Sequence, residues 1–367
     1  MQNNRIDFGN FAKNDKKEKI YFHLWHDLPK DFFLEPLQPS RADKNGCVNS
    51  YSFGVPGFTD SLTPEEKKKC IADALIKQFA VKDIDTFRYA LHKVCSGSGS
   101  EYKKITTLHS SSLCALLHFY NVSPDTSIEL DLEGKPCRFT QVTFEFKNRL
   151  TKNSVGASNV DVVLAGEDLK TGEKVILFLE SKFAEYCYGI AKMEKIPSAY
   201  LGDDMFSRDI YDDNVMAKLG YEKNISPDSK YFFIKSKQPG YLQGVKQMVS
   251  HYVGVRNLLM DLEKGSDTVF RGCDDKEKSI KKMIRDGARV YLGGILFDRK
   301  IGVLPISGSG SNYAKDYQKR YYELAAVLNA QLIEAGLIDR LRVLTEELKY
   351  EMITSVRDEK IRTFYYS

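Results

Sequence analysis

Nothing in these 367 residues forms an apolar run near the roughly 20 residues that a membrane span needs. The longest strictly apolar stretches are as short as Val175–Leu179, which predicts no transmembrane helix. The opening segment Met1–Asp7 is polar with no apolar stretch behind it, which argues against a secretory signal. The seven cysteines are odd in number, scattered, and include no Cys-x-x-Cys pair. That pattern speaks against a disulfide framework or a structural zinc site and fits a reducing, cytoplasmic setting. A strongly basic balance is missing too: 54 Lys and Arg face 50 Asp and Glu, a net charge of +4. Such a chain is compatible with nucleic acid without arguing for it. The glycine-rich segments Ser96–Ser100 and Ser307–Ser311 lack the following Lys-Ser/Thr of a phosphate-binding loop, so they read as linkers and no nucleotide cofactor is expected.

What the chain does contain is an ordinary globular composition, 42% hydrophobic and 28% charged, which excludes wholesale disorder, collagen and coiled coil. Its length allows two or three domains of about 150 residues, or one core with large additions. Residues 1–100 read as an irregular, mostly helical region. Its clearest helix starts at Thr63-Pro64-Glu65-Glu66, a cap residue followed by proline and acids, and runs to about Phe79; a second lies near Thr86–Val94. Residues 101–300 carry helix Leu108–Tyr120, strands Arg138–Lys147, Asn159–Leu164 and Val175–Lys182, helix Tyr241–Leu259 and strand Arg289–Phe297. A polar turn at Gly166–Gly172 joins the second and third strands, and residues 184–239 form an insertion. Residues 301–367 read as helical, through Tyr313–Glu334 and Arg340–Met352. The expected class is α/β, with an α-β-β-β-α-β core around a mixed sheet flanked by helices.

Chemistry concentrates on one strand. Val175–Lys182 is apolar on both faces until Glu180-Ser181-Lys182, so it belongs in the middle of a covered sheet yet ends in a carboxylate and an ammonium on one face. Burying both is costly without compensation. Asp161 interrupts the preceding apolar strand, 19 residues upstream of Glu180 (180 − 161), and a hairpin would bring the two acids to one end. Two carboxylates plus the Ser181 backbone carbonyl make a hard oxygen site suited to Mg²⁺, and Lys182 could orient or deprotonate an attacking water. The triplet Glu-x-Lys alone says little, since Glu66–Lys68, Glu101–Lys103, Glu133–Lys135, Glu145–Lys147 and Glu347–Lys349 also match. Asp298-Arg-Lys300 ends another apolar strand, but the nearest upstream acid, Asp286, reads as a helix end. The competing reading of Asp161, Glu180 and Lys182 is a buried ion-pair network without catalysis.

The arrangement Asp161…Glu180-Ser181-Lys182 within that element order resembles the PD-(D/E)xK nuclease superfamily over about residues 100–300. The segment Leu108–Tyr120, followed by Glu145, Asp161 and Glu180–Phe183, is most similar to bacterial type II restriction endonucleases. Val160 stands where that motif has proline. The resemblance implies a DNA phosphodiesterase of bacterial defence using Mg²⁺, with Mn²⁺ as a substitute. Asp161 and Glu180 would be metal ligands, Lys182 the catalytic lysine and Glu145 an added acid, although Lys147 offers it a plain strand ion pair. A homodimer would let such an enzyme reach both strands. The alternatives are a DNA-binding module without catalysis and a repair nuclease acting on ends or flaps.

On helix 241–259, Gln243, Gln247 and His251 form a polar stripe. A glutamine there could support the site, while His251 reads as part of a solvated face. His23 and His26 read as parts of a packed aromatic segment. Lys67–Lys69, Lys103-Lys104 and Lys281-Lys282 could touch phosphates, though each run is short and charged helix faces are common.

Overall fold

The computed structural model describes residues 20–21, 24–42, 48–96, 102, 104–150, 157–183, 193–203, 205–225, 230–236, 244–297, 313–353 and 358–366. The glycine-rich loops beyond Ser96, the rival Asp298, His23 and Gln243 lie outside these residues.

Strand periodicity builds the centre. Strands β3 (Ile128–Asp131), β4 (Pro136–Arg149), β5 (Ala157–Asp168) and β6 (Lys174–Phe183) run antiparallel to one another in turn. Strand β10 (Arg289–Phe297) then lies parallel to β6, pairing Arg289 with Val175 through Phe297 with Phe183. The nearly unbroken apolar runs of β6 and β10 suit this central place, with both faces covered. The hairpin β5–β6 is longer than expected: β5 continues to Asp168 through Gly166, and the turn occupies the residues just after it. A Cβ on Gly166 would stand 1.9 Å from the Arg138 carbonyl oxygen, so only glycine fits where β4 shifts register between Phe139 and Gln141.

Helices flank the sheet. Helices α1 (Pro64–Phe79), α2 (Ile84–Val94) and α3 (Ser111–Phe119) precede it; α1 opens with the capping box Thr63/Glu66, and Ser110 caps α3. Short helix α4 (Asp213–Lys218) lies within the insertion, where β7 (Met193–Pro197), β8 (Tyr221–Ile225) and β9 (Tyr231–Ser236) form a separate sheet in the order β7-β9-β8. Helix α5 (Val245–Glu263) packs on β4 and β5, and α6 (Asp275–Arg285) follows before β10. The molecule is thus a mixed α/β fold around one mixed sheet.

Two expectations fail. Arg340–Met352 is not helical: β11 (Leu341–Val343) and β12 (Leu348–Lys349) pair with β10 in parallel, and Tyr350–Met352 is a 3-10 turn. The alternation of apolar Leu341 and Val343 with Arg342 suits a strand, and the β10 edge supplies its partner. The C-terminal segment therefore completes the main sheet, before helices α7 (Tyr313–Glu334) and α8 (Glu359–Tyr366) are counted. The first 100 residues likewise include a hairpin, β1 (Gln38–Ala42) with β2 (Val48–Ser52), beside their helices.

Candidate active site

The register brings three acids level on adjacent strands. Strand β4 pairs Phe144 with Val162 and Phe146 with Val160, which flank Glu145 and Asp161. Strand β5 pairs with β6 up to Val162 opposite Leu179, so Asp161 and Glu180 come next. There the ladder ends. The Ser181 backbone N–H donates instead to Asp161 Oδ2 at 2.8 Å, so a side chain takes the place of a backbone acceptor. In an extended strand the carbonyl of a residue leaves on the same edge as its N–H, which turns the Ser181 carbonyl toward Asp161 as well. The Ser181 hydroxyl points the other way, donating to the Ser111 carbonyl at 3.0 Å and meeting the Tyr350 hydroxyl at 2.7 Å.

Glu180 is 4% exposed, and both its oxygens are engaged. Lys182 Nζ lies 2.6 Å from Oε1 and His251 Nε2 lies 2.7 Å from Oε2. Lys182 also donates to Gln247 Oε1 at 2.9 Å, so the glutamine on α5 steadies the lysine. The His251 Nδ1 meets the Ser158 hydroxyl on β5. His251 is therefore not on a solvated face: it is 2% exposed and joins Ser158 to Glu180. The clue is its setting in Val249–Val255, a run without charge that leaves α5 buried on more than one side.

Glu145 adds a third feature. It is buried, with φ at 50°, the left-handed region that a non-glycine residue rarely occupies within a strand. Lys147, two residues on, is exposed.

The electrostatics follow from crowding. Burial, then the charges of Glu180 and Glu145, push the Asp161 carboxyl well above the usual carboxylate range, against the pull of Lys182 and the Ser181 N–H. Burial would raise Glu180 too, but the Lys182 and His251 contacts outweigh it and hold Glu180 below its ordinary value. The two acids are thus driven apart: Glu180 keeps its charge, and Asp161 is the one pressed toward holding a proton, since Lys182 and the Ser181 N–H offset only part of its burial and crowding.

As the side chains stand, no group of three or more His, Cys, Asp or Glu among the described residues forms a ready-made ion site. The donor chemistry nonetheless fits a hard divalent cation, because the acids on three neighbouring strands and the Ser181 carbonyl are all oxygen donors, and burial beside two other carboxylates disfavours the charge on Asp161. Glu180 would have to exchange its hold on Lys182 to take part.

Among the described residues no helix is long and apolar enough to cross a membrane. No protein-family model matches the chain, and neither the curated proteins nor the solved structures provide a match.

Proposed function

We propose that the protein is a Mg²⁺-dependent deoxyribonuclease of PD-(D/E)xK type, a restriction-type endonuclease of the cytoplasm acting on DNA, with a homodimer as its double-strand-cutting form. The single observation that carries this reading is the alignment of Glu145, Asp161 and Glu180 on three neighbouring strands with Lys182 on Glu180. Asp161, Glu180, the Ser181 carbonyl and Glu145 would hold Mg²⁺, or Mn²⁺ in its place. When bound, the ion would lower the cost of placing phosphate charge among these acids.

The chain's own residues divide the remaining work. Lys182, steadied by Gln247, offers its ammonium to the negative charge that develops on the phosphate, or orients the water that attacks it. His251 fixes one Glu180 oxygen and Ser158 fixes His251, so the carboxylate has little freedom to turn. Burial excludes bulk water around Glu180 and strengthens each of these interactions. The insertion and residues 1–100 are left to read sequence, since the core residues carry chemistry.

The test is cleavage of supercoiled circular DNA with Mg²⁺ or Mn²⁺ by the intact protein and by Asp161→Ala. The expected result is linear product from the first and none from the second. Salt-sensitive DNA retention without cleavage would support a binding module, a reading that the full engagement of Glu180 favours. Cleavage confined to linear substrates would support an end-directed enzyme.

A further inference from the structure

A groove of about 460 Å³ opens beside Glu145, between the end of β4, helix α5, the loop before α6 and α6 itself. Lys281 lines it, and this lysine is not on a solvated helix face: it is 6% exposed. Its ammonium donates to the Val269 carbonyl at 2.7 Å and to Cys273 Sγ at 3.0 Å, with the Phe146 ring centre 5.2 Å away. An ammonium has three donors, and neither acceptor carries a full negative charge. Among the described residues no carboxylate comes within ion-pair distance of it. A buried ammonium held by neutral acceptors is costly to take from water and favours an anion beside it.

The walls agree. Lys147, Arg149 and Arg271 line the groove with exposed side chains. Glu277, also in the lining, is already paired with Lys93 at 2.8 Å. Glu145 and Asp261 are the acids that remain, so the lining stays positive. Glu145, one of the three aligned acids, belongs to the same lining.

We propose that this groove binds a phosphodiester of the nucleic-acid chain next to the one at the acids, with Lys281 as its buried cation and Arg149 and Arg271 at its mouth. The proposal rests on the nucleic-acid reading of the site. A chain with one phosphate among the acids would run its neighbour past Glu145 into the groove, where an oxyanion completes the Lys281 donor set.

The test measures binding of a fluorescent DNA oligonucleotide against salt concentration, using the full chain with Asp161→Asn to silence cleavage. Adding Lys281→Met should weaken binding about tenfold and lower the slope of log affinity against log salt by about one, as the loss of one phosphate contact does. Its melting temperature should hold or rise, because an uncompensated buried charge is gone. Arg149→Gln, an exposed change that folding tolerates, should weaken binding in the same direction. Unchanged affinity and slope in a folded Lys281→Met protein, or no oligonucleotide binding by Asp161→Asn, overturns the proposal. Inorganic phosphate that stabilises the wild type through Lys281 yet is not displaced by oligonucleotide overturns it as well, by making the groove a site for free phosphate. A Lys281 effect on binding in a protein that never cleaves leaves the groove standing and removes the nuclease reading; cleavage with no Lys281 effect does the reverse.

Discussion

Asp161 and Glu180 are neighbours of the same chemical type with opposite fates. Glu180 has two cationic or proton-donating partners, Lys182 and His251, whereas Asp161 has a single backbone N–H and two nearby carboxylates. Free energy is therefore stored at Asp161, as expected where a site trades stability for function. Asp161→Asn keeps an acceptor for the Ser181 N–H and removes the charge. It should raise stability by about 1 kcal/mol at neutral pH, read as a melting-temperature rise of roughly 1–2 °C in a chain of 367 residues, while abolishing cleavage. A fall in melting temperature would show that Asp161 is not under electrostatic strain. The pairing of Asp161 with Glu180 was legible in the sequence because both interrupt or close apolar runs. Glu145 was legible only by resemblance, since its left-handed φ leaves no mark in composition. His251 was hidden because a helical wheel drawn from the strongest apolar positions treats α5 as one-sided, and the sheet and insertion bury it further round.

A second residue carries a pH dependence. His118 on α3 is fully buried, with Nδ1 against the Cys114 carbonyl at 2.7 Å and Nε2 against the Tyr366 hydroxyl at 2.7 Å. Burial lowers its pKa to about 4, so the folded state holds it neutral below the point at which the unfolded chain, near 6.5, takes up a proton. The unfolded state binds more protons in that window. Stability contributed by His118 is thus fully present above pH 6.5 and is lost as the pH falls toward 4, by about 3 kcal/mol in all. Denaturant titrations at pH 7 and pH 5 should show the loss, and His118→Gln should flatten the difference. An equal loss in the variant would place the sensitivity elsewhere.

At the scale of elements, the close seat of α5 on the sheet sets the site. A Cβ on Gly254 would stand 2.8 Å from Asn148 Cβ and 3.3 Å from Ser158 Cβ, so glycine lets the helix approach β4 and β5 near enough for His251 to reach Ser158 and Glu180. Gly254→Ala should destabilise the protein by about 1–3 kcal/mol through overpacking and slow cleavage by moving His251 and Gln247 off their partners. Wild-type stability in that variant would contradict the packing. The start of the same helix is held by the insertion: Glu194 on β7 accepts from the Gly244 and Lys246 N–H groups at 3.1 and 3.0 Å. Glu194→Ala removes this cap and should cost about 1 kcal/mol in denaturant unfolding. Strands β5, β6 and β10 were readable from their apolar runs, and β10 and α7 fall on the expected bounds. Strands β11 and β12 were not, because each is two or three residues long and gains its identity from the distant β10 edge.

Over the whole molecule, the described residues near both termini share one hydrophobic cluster with the sheet. The Trp25 indole donates to the Phe364 carbonyl at 3.0 Å and stacks on the Phe183 ring, two residues beyond Ser181. Tyr350 packs against His118 and meets Ser181. What position along the chain could not reveal is that residues separated by more than 300 places share one aromatic layer behind the candidate site.

The proposed chemistry assigns DNA hydrolysis to the three aligned acids and Lys182. Mg²⁺-dependent conversion of supercoiled to linear DNA, measured side by side for the wild type and for a folded Lys182→Ala protein, tests it most directly. The Lys182→Ala rate should fall by at least about a hundredfold, the scale of losing one preorganised electrostatic contact. Cleavage by Lys182→Ala at the wild-type rate, or none by the wild type under any divalent cation, would contradict it.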